Sequence, residues 1–313
     1  MKILVTGALG HIGSRFIHSL RPGDFQRVVL VDNFATQRYC SLFNLPGDVP
    51  FHFIEADIFE ADLGSLFSGI DVVLHFAAIV DPAGSFEIQD QVERMNYEGT
   101  RRVAEACVRS KSRMIFMSST SVYGTERETV DEACSSSELR PQSPYAESKL
   151  KSEQMLQALG EEKGLRFVIF RFGTIFGVSP GMRFHTAVNK FIWQSCLGKP
   201  ITVWRTAMDQ RRPYLDVRDA VKALRFIMAR NLFDNQVYNV LTTNTTVRDI
   251  VETIQTYIGD VRIEYVDTRI MNQLSYDVLN NKFLALGFEF TGSLAEGIKE
   301  TIHLLGNVRS KDA

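Results

Sequence analysis

The chain has 313 residues, of which 45% are hydrophobic and 23% are charged. This length and balance predict one large or two modest folded domains, and they exclude disordered, collagen-like and disulfide-scaffold proteins. The formal net charge of −2 excludes a bulk positive field that would recruit nucleic acid or an anionic membrane surface.

The first half of the chain alternates short β-branched runs with helical stretches. Most of the strand-like runs are continuously apolar, as in a parallel sheet that helices cover on both faces. The predicted strands are Lys2–Thr6, Arg27–Asp32, Phe51–Glu55, Asp71–Phe76, Arg113–Ser118 and Arg166–Arg171. The predicted helices lie near 12–20, 61–68, 86–110 and 145–163. This order predicts a Rossmann-type, doubly wound α/β fold.

The alternation breaks after Gly177, which indicates a second unit. The elements predicted there are helices near 183–197, 217–230, 246–258 and 293–306 and strands Ile201–Trp204 and Val237–Val240. We expect a smaller C-terminal α/β lobe that is partly interleaved with the first domain. The expected division is 1–175, with a return near 211–240, and 176–313.

Targeting and metal-binding patterns are not found. The sequence enters a predicted strand at Lys2 without a basic and apolar leader, and no apolar run reaches the ~18 residues of a membrane span. The four cysteines lie far apart without Cys-x-x-Cys spacing, which is typical of reduced cysteines that bind no metal. We therefore expect a cytoplasmic protein with no membrane or nucleic-acid partner and no metal.

A glycine-rich loop follows the first predicted strand, with Gly7, Gly10 and Gly13 in G-x-x-G-x-x-G spacing and a helix opening at Ile12. The first glycine permits a tight turn, the second lets backbone N–H groups approach a pyrophosphate, and the third lets helix and strand pack closely. Strand, loop and helix together predict a dinucleotide site.

Asp32 ends the second predicted strand, 22 residues beyond Gly10. Its carboxylate can accept hydrogen bonds from both ribose hydroxyls of an adenosine and would repel a 2′-phosphate. Asn33, not arginine, follows it, so NAD is favoured over NADP. Asp57, just past the third strand, either contacts the adenine or is a plain helix N-cap.

A tyrosine and a lysine stand four residues apart at Tyr145 and Lys149, at the start of a predicted helix behind Pro144. Residues i and i+4 share one helix face. Ser119 ends the fifth strand, at the sheet edge where parallel strands present ligand-binding residues. Free tyrosine, with a pKa of ~10, is a poor base near neutrality, and a neighbouring lysine ammonium favours the phenolate.

These motifs, together with His75-Phe76-Ala77-Ala78, Asn96-Tyr97-Glu98-Gly99-Thr100 and Ser143-Pro144-Tyr145-x-x-x-Lys149, resemble the extended short-chain dehydrogenase/reductase family. The similarity is greatest to its NAD-dependent nucleotide-sugar epimerase/dehydratase branch. It covers nearly the whole chain.

The resemblance assigns roles to particular residues. It implies that Ser119, Tyr145 and Lys149 are catalytic. Residues implied at the cofactor are Gly7, Gly10, His11, Ile12, Gly13, Asp32, Asn33, Asp57, Ile58, Phe76, Ala77, Ala78, Asn96, Tyr145 and Lys149. Residues implied at the substrate are Thr120, Ser121, Thr174, Arg183, Asn189 and Arg212, the last of which matches an arginine that grips a nucleotide diphosphate.

One departure from the family bears on the reaction. Dehydratases and decarboxylases of the family carry an acidic residue after the catalytic hydroxyl, where this chain has Thr120 and Ser121. The sequence therefore favours NAD-dependent oxidation at C4 of a nucleotide-linked sugar, either as a 4-epimerase or as a 4-dehydrogenase that releases the ketone. A 4-ketosugar reductase and a non-catalytic NAD-binding module are weaker alternatives. We also expect a homodimer through the helices near 86–110 and 145–163.

Overall fold

The six strands predicted in the first half of the chain are all present in the structure, a computed structural model that describes residues 1–124, 127–266 and 275–306. The strands are β1 Lys2–Thr6, β2 Arg27–Asp32, β3 Phe51–Glu55, β4 Val72–His75, β5 Arg113–Ser119, β6 Thr129–Val130, β7 Phe167–Phe172, β8 Thr174–Phe176, β9 Ile201–Trp204, β10 Arg211–Asp216, β11 Gln236–Val240, β12 Thr243–Thr246, β13 Ile263–Val266 and β14 Asp277–Val278. The helices are α1 His11–His18, α2 Leu63–Leu66, α3 Gln89–Val92, α4 Gly99–Ser110, α5 Pro144–Lys163, α6 Ala187–Cys196, α7 Val217–Arg230, α8 Val247–Ile258, α9 Asn281–Leu284 and α10 Leu294–Leu305.

Seven strands form one parallel sheet in the order β3-β2-β1-β4-β5-β7-β11. The strands β2 and β3 follow β1 on one side of the sheet, and β4 lies on the other side of β1. The Rossmann-type, doubly wound fold predicted from the sequence is confirmed. In such sheets the ligand crevice lies at the carboxyl ends of the two strands where the order reverses, here β1 and β4.

The central strands of the seven-stranded sheet are largely apolar because each supplies two cores. In β1, Ile3 and Val5 pack with Phe16 of α1 in one core. Leu4, between them, packs in the other core with Val103 of α4 and with α5. Side chains alternate across a strand, so a sheet covered on both faces needs hydrophobic residues at every position.

The smaller lobe has a core of its own. Its three-stranded sheet runs β12-β10-β8, with β10 antiparallel to β12 and parallel to β8. Phe176, Tyr214 and Ile192 of α6 pack there against α8 and α10. The predicted C-terminal α/β lobe is confirmed. Across the described ranges no helix is both long and apolar enough to cross a membrane.

The helix predicted near 86–110 is present over residues 89–110, and its middle part is π-helical. The structure has α3, then a π-helical segment over Glu93–Glu98, and then α4 without a break. Within that segment the buried Asn96 side chain accepts from the backbone N–H of Ile79 at 2.8 Å and donates to its carbonyl at 2.9 Å. The wider π-turn accompanies this contact between the helix and the chain beyond β4.

Two other predicted helices are shorter than expected. The helix near 61–68 is the single turn α2, which begins where the Asp62 carboxylate accepts from the N–H groups of Gly64 and Ser65. The helix near 183–197 begins only at Ala187, because the preceding residues form an extended loop toward the crevice.

Candidate active site

The glycine loop connects β1 to α1 at the crevice. Gly7 has a φ of +64°, and a β-carbon there would lie 2.6 Å from the backbone nitrogen of Ala77. A β-carbon at Gly13 would lie 2.5 Å from the carbonyl oxygen of Ala8. Only glycine fits these two positions, so the loop forms a cradle in which backbone N–H groups can approach a pyrophosphate.

Asp32 ends β2 beside this loop. Its two carboxylate oxygens accept from the backbone N–H groups of Leu9 at 3.1 Å and Phe34 at 3.0 Å. Each oxygen keeps a further lone pair for a ribose hydroxyl. Asp57 accepts from the Asn33 amide at 3.0 Å and from the backbone N–H of Phe59 at 2.8 Å, so it also caps the chain after β3.

A cavity of about 460 Å³ extends from this loop along the carboxyl ends of the sheet strands. It has the size typical of a small-molecule site. Most of the residues predicted for the site line it, namely Gly7, Gly10, His11, Ile12, Gly13, Asp32, Asn33, Asp57, Ile58, Phe76, Ala77, Ala78, Ser119, Thr120, Ser121, Tyr145, Lys149, Thr174 and Arg183. A glycine cradle, an acid at the end of β2 and this cavity together fit an NAD molecule.

Tyr145 and Lys149 stand one turn apart at the start of α5. Ser143 caps that helix by accepting from the N–H of Ala146 at 3.2 Å, and Pro144 occupies its first turn. The Lys149 ammonium lies 6.0 Å from the centre of the Tyr145 ring. The cap therefore places both side chains on the face of α5 that meets the cavity.

Ser119, at the end of β5, completes the group. Its hydroxyl oxygen accepts from the backbone N–H of Ser121 at 3.2 Å and from the Ser121 hydroxyl at 2.8 Å. Ser119 also hydrogen-bonds the Tyr145 phenol. Because Ser121 supplies both of the other protons, the Ser119 proton is left for the phenol oxygen.

The surrounding protein moves the pKa values of both helix residues. Burial raises the pKa of Tyr145, while the hydrogen bond from Ser119 and the positive charge of Arg183 oppose that rise. Burial lowers the pKa of Lys149 to about 7, against the opposing charge of Glu153. Perturbed values of this kind are typical of proton-transfer residues in a cavity.

Three of the predicted site residues lie outside the cavity wall. The Asn96 side chain accepts from the backbone N–H of Ile79 and donates to the Ser148 hydroxyl at 3.1 Å. Asn189 accepts from the N–H of Gly177 at 3.3 Å and donates to the carbonyl of Arg183 at 2.8 Å. In the structure both asparagines fix backbone segments at the edge of the cavity.

Arg212 is the third residue outside the wall. It lies on β10, where its guanidinium donates to the Gln210 side chain at 3.1 Å and stands 5.6 Å from the centre of the Tyr276 ring. Burial lowers its pKa. The structure places this cation in the smaller lobe, apart from the glycine loop.

Two basic residues outside the predicted site set, Arg38 and His185, also line the cavity. A guanidinium nitrogen of Arg38 lies 3.9 Å from where a β-carbon at Gly10 would be. Burial, then the charge of Arg183, lowers the pKa of His185. Arg38 belongs to no recognisable motif, so only the folded chain brings it to the site.

His11 joins the glycine loop to the smaller lobe. Its Nε2 is 2.8 Å from the carbonyl oxygen of Gly177. Burial lowers the pKa of His11 to about 4, although that hydrogen bond opposes the change. The ring is therefore neutral near pH 7 and donates this hydrogen bond to the carbonyl.

Comparisons with known proteins agree with this geometry. Residues 3–240 match the model of the NAD dependent epimerase/dehydratase family. The chain is 32% identical over 249 residues to an uncharacterised UDP-glucose epimerase of Bacillus subtilis (strain 168), a match that covers 77% of this chain and 76% of the relative. The solved UDP-glucuronic acid 4-epimerase of Bacillus cereus, in complex with UDP-glucuronic acid and NAD, superposes with a TM-score of 0.87 at 27% identity and covers 97% of this chain and 99% of that one.

A longer relative carries several activities. It is a trifunctional UDP-glucose 4,6-dehydratase/UDP-4-keto-6-deoxy-D-glucose 3,5-epimerase/UDP-4-keto-L-rhamnose-reductase of Arabidopsis thaliana, 30% identical over 319 residues. The match covers 96% of this chain and 46% of the plant protein, so the chain spans about half the length of that relative.

Proposed function

Because this chain belongs to the NAD dependent epimerase/dehydratase family, we propose that it is a nucleotide-sugar 4-epimerase that acts through a transient 4-keto intermediate. The family match confirms the prediction of an NAD-dependent enzyme of the extended short-chain dehydrogenase/reductase type. The observation that carries the proposal is the Ser119–Tyr145–Lys149 group at the edge of the cavity that contains the glycine cradle.

The proposed reaction assigns one task to each of these side chains. NAD, when bound, would supply the oxidant: it would accept a hydride from C4 of the sugar and return it to the opposite face of the 4-keto group. Tyr145 takes the proton of the C4 hydroxyl, and Ser119 holds the reacting oxygen through a hydrogen bond. The Lys149 ammonium stabilises the phenolate. Tyr145 then gives its proton back to the oxygen on C4. In the product the carbon C4 has the opposite configuration.

Cofactor binding falls to the residues around the loop. The N–H groups beside Gly7, Gly10 and Gly13 and the start of α1 would bind the pyrophosphate, and Asp32 would accept hydrogen bonds from the adenosine ribose. Arg38, close to Gly10, supplies a positive charge there. The remaining cofactor residues predicted from the sequence keep their proposed roles along the same wall, with Asn96 supporting the wall through Ile79.

The substrate we propose is an anionic nucleotide sugar. Thr120, Ser121, Thr174 and Arg183 line the part of the cavity nearest Tyr145. Among the described residues the Arg183 side chain forms no ion pair, and burial, with the charge of Arg38, lowers its pKa to about 10. A half-buried cation of this kind is stabilised by a negative group on a ligand. The Bacillus cereus 4-epimerase binds such a molecule, UDP-glucuronic acid.

The division of labour between the lobes remains a proposal. Residues 1–175 would bind the dinucleotide, and of the return near 211–240 the elements α7 and β11 pack in that domain. Residues 176–313 would bind most of the nucleotide sugar, with Arg212, on β10 of the smaller sheet, on its diphosphate. A homodimer is also proposed, through the helices near 86–110 and 145–163. Tyr97 and Leu150 on those helices are only half-buried in the single chain, which supports a covered face.

Product analysis tests the reaction. The purified protein is incubated with UDP- and dTDP-linked sugars, neutral and acidic, and the products are separated and weighed by mass spectrometry. We expect an isomer of unchanged mass. A product lighter by two hydrogens would instead indicate a 4-dehydrogenase, and a product lighter by one water would indicate a dehydratase and refute the interpretation of Thr120 and Ser121.

A matched pair of variants tests the base. Tyr145→Phe keeps the ring and removes the phenol oxygen, so the protein should fold and retain NAD while turnover falls by about 10²–10⁴-fold or more. Tyr257→Phe, at an exposed position on α8, is the control and should keep wild-type turnover. Near wild-type turnover in Tyr145→Phe would refute the mechanism.

A further inference from the structure

A buried ion pair lies behind the proposed catalytic lysine. Glu153 follows Lys149 by one turn of α5, and the two residues are 3% and 4% exposed. Arg171 of β7 donates to both Glu153 oxygens, from Nε at 3.0 Å to Oε1 and from Nη2 at 2.7 Å to Oε2. The Ser118 hydroxyl also donates to Oε1. Three donors on two oxygens, two of them from a guanidinium, stabilise the negative charge of the carboxylate.

Hydrogen bonds on the far side of Arg171 from Glu153 fix the ion pair. The remaining Arg171 nitrogen, Nη1, donates to the Tyr123 hydroxyl at 3.0 Å, which in turn donates to the side-chain oxygen of Asn239 at 2.9 Å. Because Arg171 and Ser118 occupy its oxygens, Glu153 makes no hydrogen bond to Lys149. It acts on the lysine through its charge, across a low-dielectric interior where such effects are strong.

Within the described part of the chain, the other groups that face Lys149 carry no negative charge. The Phe116 ring of β5 lies 4.8 Å from the ammonium. His75, at the end of β4, is hydrogen-bonded by Thr6 and Thr100, and burial, with the charge of Lys149, lowers its pKa to about 3, so its ring is neutral.

The remaining ionisable groups are Tyr145 on the same helix, whose pKa burial raises, and two cations. Arg183 lies beyond the phenol, and Arg171 lies behind Glu153. Among the described residues, Glu153 is thus the acid that opposes the loss of the Lys149 proton.

We propose that Glu153 is a positioning residue for the reaction: its carboxylate, fixed by Arg171 and Ser118, keeps Lys149 in the ammonium form beneath Tyr145. The inference rests on the proposed function, because the positive charge of Lys149 matters only if it stabilises a Tyr145 phenolate. A neutral amine would not do so. It assigns a task in the reaction to a buried ion pair that touches neither cofactor nor substrate.

A titration of Lys149 tests the proposal without any turnover. Protein labelled with ¹³C at the lysine ε-carbon is titrated by NMR in the absence of cofactor, and the Lys149 signal is assigned from its loss in Lys149→Arg. We expect a midpoint near pH 7 in the wild type. Glu153→Gln should lower that midpoint by about one pH unit or more.

The same variants are then compared by their pH–rate profiles. Glu153→Gln should move the alkaline limb of kcat to lower pH by the same interval, about a tenfold loss of turnover per unit on that limb, and keep most of the activity on the acidic side. Glu153→Asp retains the negative charge, so its alkaline limb should lie close to the wild-type position. A purely structural role would lower kcat at every pH and leave the limb in place.

A second variant controls for misfolding of the Glu153→Gln protein. Glu153→Gln leaves Arg171 without its acid, whereas Glu153→Gln with Arg171→Gln replaces the ion pair by two neutral amides of similar shape. The double variant should also show a lowered Lys149 midpoint, by less than Glu153→Gln alone, because the positive charge of Arg171 is removed with the carboxylate. A wild-type midpoint in either folded variant, or an equal displacement in Glu153→Asp, would overturn the proposal. A lowered midpoint in a protein that epimerises no sugar would overturn the proposed function instead.

Discussion

Lowering the pH from 7 to 5 should destabilise this protein through two buried histidines. His11 and His75 are 8% and 2% exposed. Both are hydrogen-bonded as neutral rings, His11 to the Gly177 carbonyl and His75 between two threonine hydroxyls. Burial lowers the pKa of His11 to about 4 and that of His75 to about 3.

The magnitude follows from proton linkage. Below the ordinary histidine pKa of 6.5 the unfolded chain takes up protons that the folded protein refuses until about pH 4 or 3. The stabilisation is therefore complete above pH 6.5 and decreases as the pH falls. At pH 5, about 1.5 units below 6.5, each histidine costs roughly 2 kcal/mol and the pair roughly 4 kcal/mol of the free energy of unfolding. The lowered pKa of His185 acts in the same direction.

Urea unfolding of the cofactor-free protein at pH 7 and pH 5 measures this difference. His11→Gln and His75→Gln should each remove about half of the pH dependence, whatever they do to stability at pH 7. His303→Gln, at an exposed position, is the control and should leave the dependence unchanged. A loss below about 1 kcal/mol in the wild type, or a full pH dependence in both buried variants, would refute the reasoning.

Much of the larger domain could be predicted from local pattern alone. The strands β1, β2 and β3 occur at the predicted residues because each is an apolar run bounded by turn-forming residues. The helix predicted near 145–163 is α5, which begins at Pro144 because Ser143 caps it. The parallel order of the sheet then brings Ser119, Tyr145 and the glycine loop to one cavity.

The elements missed by the sequence depend on distant contacts. β12 is Thr243–Thr246, a polar stretch whose pairing with β10 makes it a strand. The π-helical segment accompanies the bond between Asn96 and Ile79, 17 residues apart. A local pattern carries no information on such partners.

The site residues missed by the sequence have the same explanation. Arg38 belongs to no motif, and a loop brings it to Gly10. Glu153 and Arg171 look like an ordinary helix acid and a strand-end base, yet they meet as a buried ion pair 18 residues apart. Asn189, which the sequence places at the substrate, hydrogen-bonds the backbone of Gly177 and Arg183 in the structure.

Three further perturbations test individual contacts. Asp32→Ala should weaken NAD binding by about 1.5–3 kcal/mol for each charge-assisted hydrogen bond lost and reduce discrimination against NADP, which titration of both dinucleotides would measure. Arg212→Ala should raise KM for the nucleotide sugar and leave NAD affinity unchanged, because Arg212 lies outside the cavity wall; an equal loss of both would contradict its proposed role. Gly181→Ala tests the contact between the lobes. A β-carbon at Gly181 would lie 2.2 Å from the carbonyl oxygen of Leu9, so the loop of the smaller lobe would have to move off the glycine loop. We expect the free energy of unfolding to fall by about 1–3 kcal/mol, and both NAD affinity and KM to worsen, since the two binding sites share this contact. Gly47→Ala, where a β-carbon would meet nothing within 4 Å, is the control and should change none of the three. A Gly181→Ala protein with wild-type stability, NAD affinity and KM would show that the two lobes do not depend on this contact.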